Sequence, residues 1–118
     1  MIQSFRDLQV WQRSMELTAE VYALTKTFPN EERFGLITQL QRSAVSIPSN
    51  IAEGQGRLNT GEFRQFLGIA RGSNCELQTQ LEIAQMLGYC DSPSIARANQ
   101  LAHEVGKMLY ALLESLKN

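Results

Sequence analysis

The chain has 118 residues, 43% of them hydrophobic and 19% charged, so it is too apolar to stay disordered and long enough to bury a core without metal or disulfides. Eleven Lys and Arg against twelve Asp and Glu leave a formal net charge of −1, which excludes the basic balance of a typical nucleic-acid module but not a local patch. Cys75 and Cys90, with no CxxC between them, exclude a disulfide scaffold and read as reduced, packed thiols.

The opening residues carry no apolar signal core, and the longest apolar run, Met108 to Leu113, is far short of the ~20 residues that span a bilayer. The expectation is a cytoplasmic protein with no membrane contact, folded as a single domain over 1–118.

The first predicted helix covers 6–26, with Ser4 and Asp7 as its cap. Two apolar stripes run along it. Leu8, Trp11, Met15, Thr18 and Tyr22 are read as the core stripe. Val10, Leu17, Val21 and Leu24 lie beside it, and part of this second stripe is expected to be covered by another copy of the chain.

The second helix is predicted over 31–55, capped by Asn30 with Glu31 and Glu32 in its first turn. Ile37, Leu40, Ala44, Ile47 and Ile51 form its core stripe, which crosses Pro48 without losing phase; that predicts a kink at Pro48 rather than a stop. Gly54 and Gly56 end it. Its opposite face, Gln39, Ser43, Ser46, Asn50, Glu53 and Arg57, is short in Lys and Glu, which suits a face partly buried in polar contacts.

The third helix, 60–88, starts at a capping-box-like Asn59 and Glu62. Phe63, Phe66, Ala70, Ser73, Leu77, Leu81 and Ala84 form its core stripe. Gly68 and Gly72 share a face with Cys75 and Thr79, a small-residue stripe that another helix could approach closely. The fourth helix, 93–116, opens at Ser92-Pro93 and carries Ile95, Ala98, Ala102, Val105, Leu109, Leu112 and Leu116. With no period-two stretch and only short turns, the fold class is all-α, an up-and-down antiparallel four-helix bundle.

Chemistry-bearing motifs are scarce. The one histidine, His103, has Gln100 where a Glu-x-x-His metal motif needs Glu, and nothing sets a Ser or Cys beside it. Gly54-Gln-Gly56-Arg57 follows no strand and is not followed by Gly-Lys-Ser/Thr, so it is no phosphate loop. The reading is no catalytic residue, no metal and no cofactor. Two groupings remain. Asn50, Glu53 and Arg57 are expected to form a polar network with Glu76 and Ser73 of the third helix. Arg57, Arg64 and Arg71 are the candidate nucleic-acid contacts, with Arg42 and Arg13 in reserve, because arginine's planar fork suits phosphate and Arg64 and Arg71 share one flank. The alternative for these arginines is pairing with Glu53, Glu62 or Glu76.

Specific strings go further. Phe5-Arg-Asp-Leu8 with Val10-Trp11-Gln12, Phe28-Pro29, Phe34-Gly-Leu36, Ser46-Ile-Pro-Ser-Asn-Ile-Ala-Glu-Gly54 and Ala70-Arg-Gly-Ser73 are distinctive. Together they resemble the bacterial four-helix-bundle family named after open reading frames in 23S rRNA intervening sequences, from Phe5 to about Leu116. The resemblance implies an antiparallel four-helix bundle, ring-like homopentamers, and a relation to the pentameric, RNA-binding accessory proteins of diversity-generating retroelements. It implies no enzymatic activity. Two functional readings follow: a homo-oligomeric accessory protein that associates with RNA, and an oligomer that scaffolds a partner protein without touching nucleic acid.

Overall fold

A computed structural model describes residues 4–117, and within them four α-helices and no strand are found: α1 Gln9–Thr25, α2 Leu36–Gln55, α3 Thr60–Met86 and α4 Ser92–Ser115. α1 packs on α2 and α4, and α3 on the same two helices, while α1 and α3 do not meet. Short connections therefore make each helix antiparallel to the next, the expected all-α up-and-down bundle. The body measures 44 × 24 × 21 Å, its length set by the 27-residue α3.

The helix starts show where local chemistry was read correctly and where it was not. The Ser4 and Asp7 cap closes on a 3-10 turn, Phe5–Asp7, and α1 begins only at Gln9. Asn30 to Glu32 is a second such turn, so α2 starts at Leu36 rather than at residue 31. The Glu32 carboxylate caps α2 by accepting from the Leu36 N–H at 3.1 Å, and its other oxygen accepts from the Tyr89 hydroxyl at 2.7 Å. Both hydrogen bonds, the Tyr89 one foremost, hold the Glu32 carboxyl below the usual carboxylate range. Asn59 caps α3 as expected, its Oδ1 accepting from the Glu62 N–H. At α4 the cap is Asp91, one residue before the expected Ser92, because the Asp91 carboxylate accepts from both the N–H and the hydroxyl of Ser94. Gly88 ends α3 in a left-handed conformation (φ 80°), the Tyr89 N–H reaching back to the Ala84 carbonyl.

α2 runs unbroken through Pro48. Proline has no N–H for the carbonyl four residues back, that of Ala44. The Thr18 hydroxyl of α1 lies 3.2 Å from that carbonyl and takes the missing donor's place. Gly54 lies inside α2 rather than ending it; a Cβ there would stand 2.6 Å from Cβ of Phe66, so the glycine is what lets α2 and α3 come together at this end.

The core holds Leu17, Val21, Leu40, Ile47, Ile51, Leu67, Leu77, Leu81, Leu101 and Leu109, all sealed from solvent. Apart from Leu8, which stays in the core, the two stripes of α1 exchange roles. Val10, Leu17, Val21 and Leu24 face the core of this chain, whereas Met15 and Tyr22 are 45% and 41% exposed and Trp11 is half-buried. The second stripe is thus not the one left for another copy. Both stripes step by three and four; the inward one is completed by Ser14, a small residue whose hydroxyl donates to its own helix at the Trp11 carbonyl and so needs no other partner.

Candidate nucleic-acid interface

The expected polar network divides in two. Its buried half lies between α2 and α3. Ser46 and Ser73 share a hydroxyl hydrogen bond of 2.8 Å, and the Asn50 amide donates to the Ser46 hydroxyl and carbonyl. The Ser43 hydroxyl, 3% exposed, stands 2.8 Å from the Gln80 side-chain oxygen and 3.2 Å from a Glu76 carboxylate oxygen. Its single proton serves these acceptors and the Gln39 carbonyl in turn. Ser43 and Gln80 were not among the predicted network residues, although Ser43 lies on the face from which they were taken.

The other half is exposed and separate. Arg57 pairs with Glu53 at 2.9 Å and Glu62 at 3.7 Å, and lies over the Phe66 ring at 4.8 Å. Neither Glu53 nor Arg57 reaches Glu76 by a hydrogen bond or an ion pair. Glu53 sits one turn and Arg57 two turns past Asn50, beyond the stretch where α2 and α3 exchange side-chain hydrogen bonds. The Arg57 charge is thus balanced by two carboxylates.

The remaining arginines differ in availability. Arg13 is paired with Glu16. Arg64 is half-buried and its Nε is shut away from solvent without a partner, so its fork is not fully presented. Arg42 is exposed and borders a depression of about 340 Å³ with Ser43, Ser46, Glu76 and Gln80, which places a carboxylate beside it. Arg71 is the open one. It is exposed, makes no ion pair among the described residues, and lies over the Tyr110 ring at 5.6 Å.

Around Arg71 the α3–α4 groove opens into a pocket of about 360 Å³. Arg71, Asn74 and Gln78 line it from α3, and His103, Lys107 and Tyr110 from α4; no carboxylate lines it. Asn74 is 2% exposed and donates its amide to the Ala102 carbonyl at 2.9 Å, while its Oδ1 is buried with no partner. Gly106 makes room for it: a Cβ there would lie 3.2 Å from the Asn74 nitrogen. His103, Lys107, Tyr110 and Asn74 were missed in the sequence. Their signal was the four-three step of 103, 107 and 110 on α4, set antiparallel to 71, 74 and 78 on α3.

Two more surfaces are open. Trp11, Met15, Val45, Pro48 and Ala52 line a groove of about 370 Å³ between α1 and α2. On α3, Gly68 and Gly72 are exposed, and a Cβ added at either meets nothing within 4 Å, so no helix of this chain uses the small-residue stripe. Cys75, on the same face, is exposed rather than packed, whereas Cys90 is half-buried, and burial pushes its thiol above the usual range. Among the described residues no group of three or more His, Cys, Asp and Glu could hold a metal ion, and no helix is long and apolar enough to cross a membrane.

The family of the 23S rRNA-intervening sequence protein matches residues 6–111. The chain belongs to that family. Its fold is shared with a crystal structure of a protein of unknown function from the S23 ribosomal protein family of Bacteroides thetaiotaomicron, 26% identical, with a TM-score of 0.82 over 89% of this chain and 95% of that one. No curated protein matches. For a 23S rRNA-intervening sequence protein the expected bundle is thereby met, and the neighbour's own function is unknown.

Proposed function

We propose that this 23S rRNA-intervening sequence protein is a non-catalytic homo-oligomer that associates with RNA through the Arg71 flank of α3 and α4. The observation that carries the reading is the carboxylate-free pocket. In a chain of net charge −1, Arg71, Lys107 and His103 converge with no acid in the lining and without an ion pair. Arginine in that setting presents its fork to phosphate.

Oligomerisation is supported by the apolar groove of α1 and α2 and by the open glycine face of α3. These are two different surfaces of one chain, which suits a head-to-tail ring, where each copy uses both. Five copies is the number the family resemblance implies. A ring repeats one Arg71 per copy, so weak contacts sum along a strand.

The test is an RNA titration on the intact oligomer. Affinity for a mixed-sequence RNA should fall steeply as salt rises from about 50 to 200 mM, because each neutralised phosphate releases counterions. Replacing Arg71 and Lys107 together by alanine should flatten that slope with the oligomer unchanged by light scattering. Failure of the native oligomer to bind RNA at about 50 mM salt refutes the reading and leaves the protein-scaffolding one; a species near 13 kDa refutes the oligomer.

A further inference from the structure

We infer that the α3–α4 pocket holds one unpaired nucleotide, with its base against Tyr110 and its phosphate on Arg71 and Lys107. The inference rests on the RNA reading above and names the unit that is read. Three observations carry it.

The first is Tyr110. Tyr110 is 53% exposed at the edge of a cationic pocket, where its ring can serve as a stacking platform. Successive bases in single strands stack on such rings, and on arginine planes, whatever the base. The Arg71 guanidinium carbon stands 5.6 Å from the ring centre, near the outer edge of the ~6 Å cation–π range. Two stacking contacts in series need about 7 Å, so a modest outward swing of the exposed Arg71 admits a base between guanidinium and ring. The face of the Arg71 guanidinium then covers the base, while its N–H edge, with Lys107, meets the phosphate.

The second is size. A pocket of about 360 Å³ lies at the small-ligand end of binding cavities, enough for one base and its sugar and too narrow for a duplex. A stacked base pair cannot lay its face on Tyr110; an unpaired one can.

The third is Asn74. Asn74 lines this same pocket, and its Oδ1 is a buried acceptor without a donor, a state in which buried polar atoms are rarely left. A nucleotide brings donors, the ribose hydroxyls and the amino groups of the bases. The amide nitrogen of Asn74 is already committed to the Ala102 carbonyl, so the oxygen is the free end.

Fluorescence anisotropy on the intact oligomer, at about 50 mM salt, compares a labelled single-stranded oligoadenylate with an oligoadenylate–oligouridylate duplex of the same length. The single strand should bind at least ~10-fold more tightly, and Tyr110→Leu should weaken it ~5- to 100-fold while Tyr110→Phe retains it. Equal affinity for duplex and single strand overturns the inference. So does a Tyr110→Leu protein that binds like the native one while the Arg71→Ala, Lys107→Ala double variant loses binding; that result leaves the RNA reading standing as contact to phosphate alone. If neither nucleic acid binds the native oligomer, both readings fall.

A second measurement needs no variant. In protein carrying 3-fluorotyrosine, adenosine 5′-monophosphate should shift the Tyr110 fluorine resonance and leave those of Tyr22 and Tyr89 in place. A Tyr110 resonance unmoved at saturating nucleotide overturns the inference.

Discussion

Thr18 and Pro48 are coupled through the Ala44 carbonyl, which the Thr18 hydroxyl reaches from α1, and that coupling is measurable. Pro48 withholds the donor that the Ala44 carbonyl would use, and Ala44 is sealed from solvent. The Thr18 hydroxyl stands in at 3.2 Å, while also donating to the Ser14 carbonyl at 2.8 Å. Thr18→Val keeps the shape and helix propensity but removes the proton. Losing a partner for a buried carbonyl costs about 1–3 kcal/mol; with the proton divided between two carbonyls the low end applies, about 1 kcal/mol. In a Pro48→Ala background the new N–H satisfies Ala44 from within α2, so Thr18→Val should then cost close to nothing. The expected coupling in a double-mutant cycle is therefore about 1 kcal/mol. Urea melts at one fixed protein concentration, compared by midpoint shift, resolve it, because oligomer stability depends on concentration. Equal costs of Thr18→Val in both backgrounds would refute the assignment of Thr18 as the donor that replaces the proline N–H.

Two further outcomes follow from the same geometry. Gly54→Ala should destabilise by about 1–3 kcal/mol, since its Cβ would lie 2.6 Å from Cβ of Phe66, although glycine to alanine within a helix normally stabilises by about 0.5–1 kcal/mol; Gly56→Ala, whose nearest contact is 3.5 Å, should show no such penalty, and thermal melts of the two separate them. The Glu32 carboxyl is held below its ordinary value by Tyr89 and Leu36, so it contributes stability above the unfolded pKa near 4.5, and that contribution is lost as pH falls through the lower folded value. Glu32→Gln should therefore flatten the acid limb of a stability–pH curve below about pH 4.5; an unchanged acid limb would show that the Tyr89 contact is not made in solution.

What the sequence disclosed depended on whether one helix was enough to decide it. Helix count, the Asn59 cap, the Gly88 stop and the passage of α2 through Pro48 are local matters, set by a few neighbours, and they read correctly. The inward face of α1 is not local. Leu8-Trp11-Met15-Thr18-Tyr22 and Val10-Ser14-Leu17-Val21-Leu24 keep the same step, and only α2 and α4 decide between them. Bulk misled, because Trp11, Met15 and Tyr22 are the larger set, while Ser14 disguised the true seam by being polar and small.

The site divides along the same line. The polar α2 face of Ser43, Ser46 and Asn50 is visible in one segment because it lacks Lys, whereas Ser73 and Glu76 meet it only across the α2–α3 seam. Arg57 pairs with Glu53 within α2 and Glu62 across a turn, the alternative open to it in the sequence, and neither partner follows that seam. Arg71 was found by its type and its register with Arg64, but its neighbours come from α4, where His103, Lys107 and Tyr110 look like an ordinary solvated flank. Only the antiparallel setting of α3 against α4 turns that flank and Arg71 into one pocket, floored by an asparagine that a glycine on the facing helix makes room for. A pocket made by two helices is thus invisible to a reading of either, and the chain's slight negative charge conceals its cationic lining further, because no acid lines it.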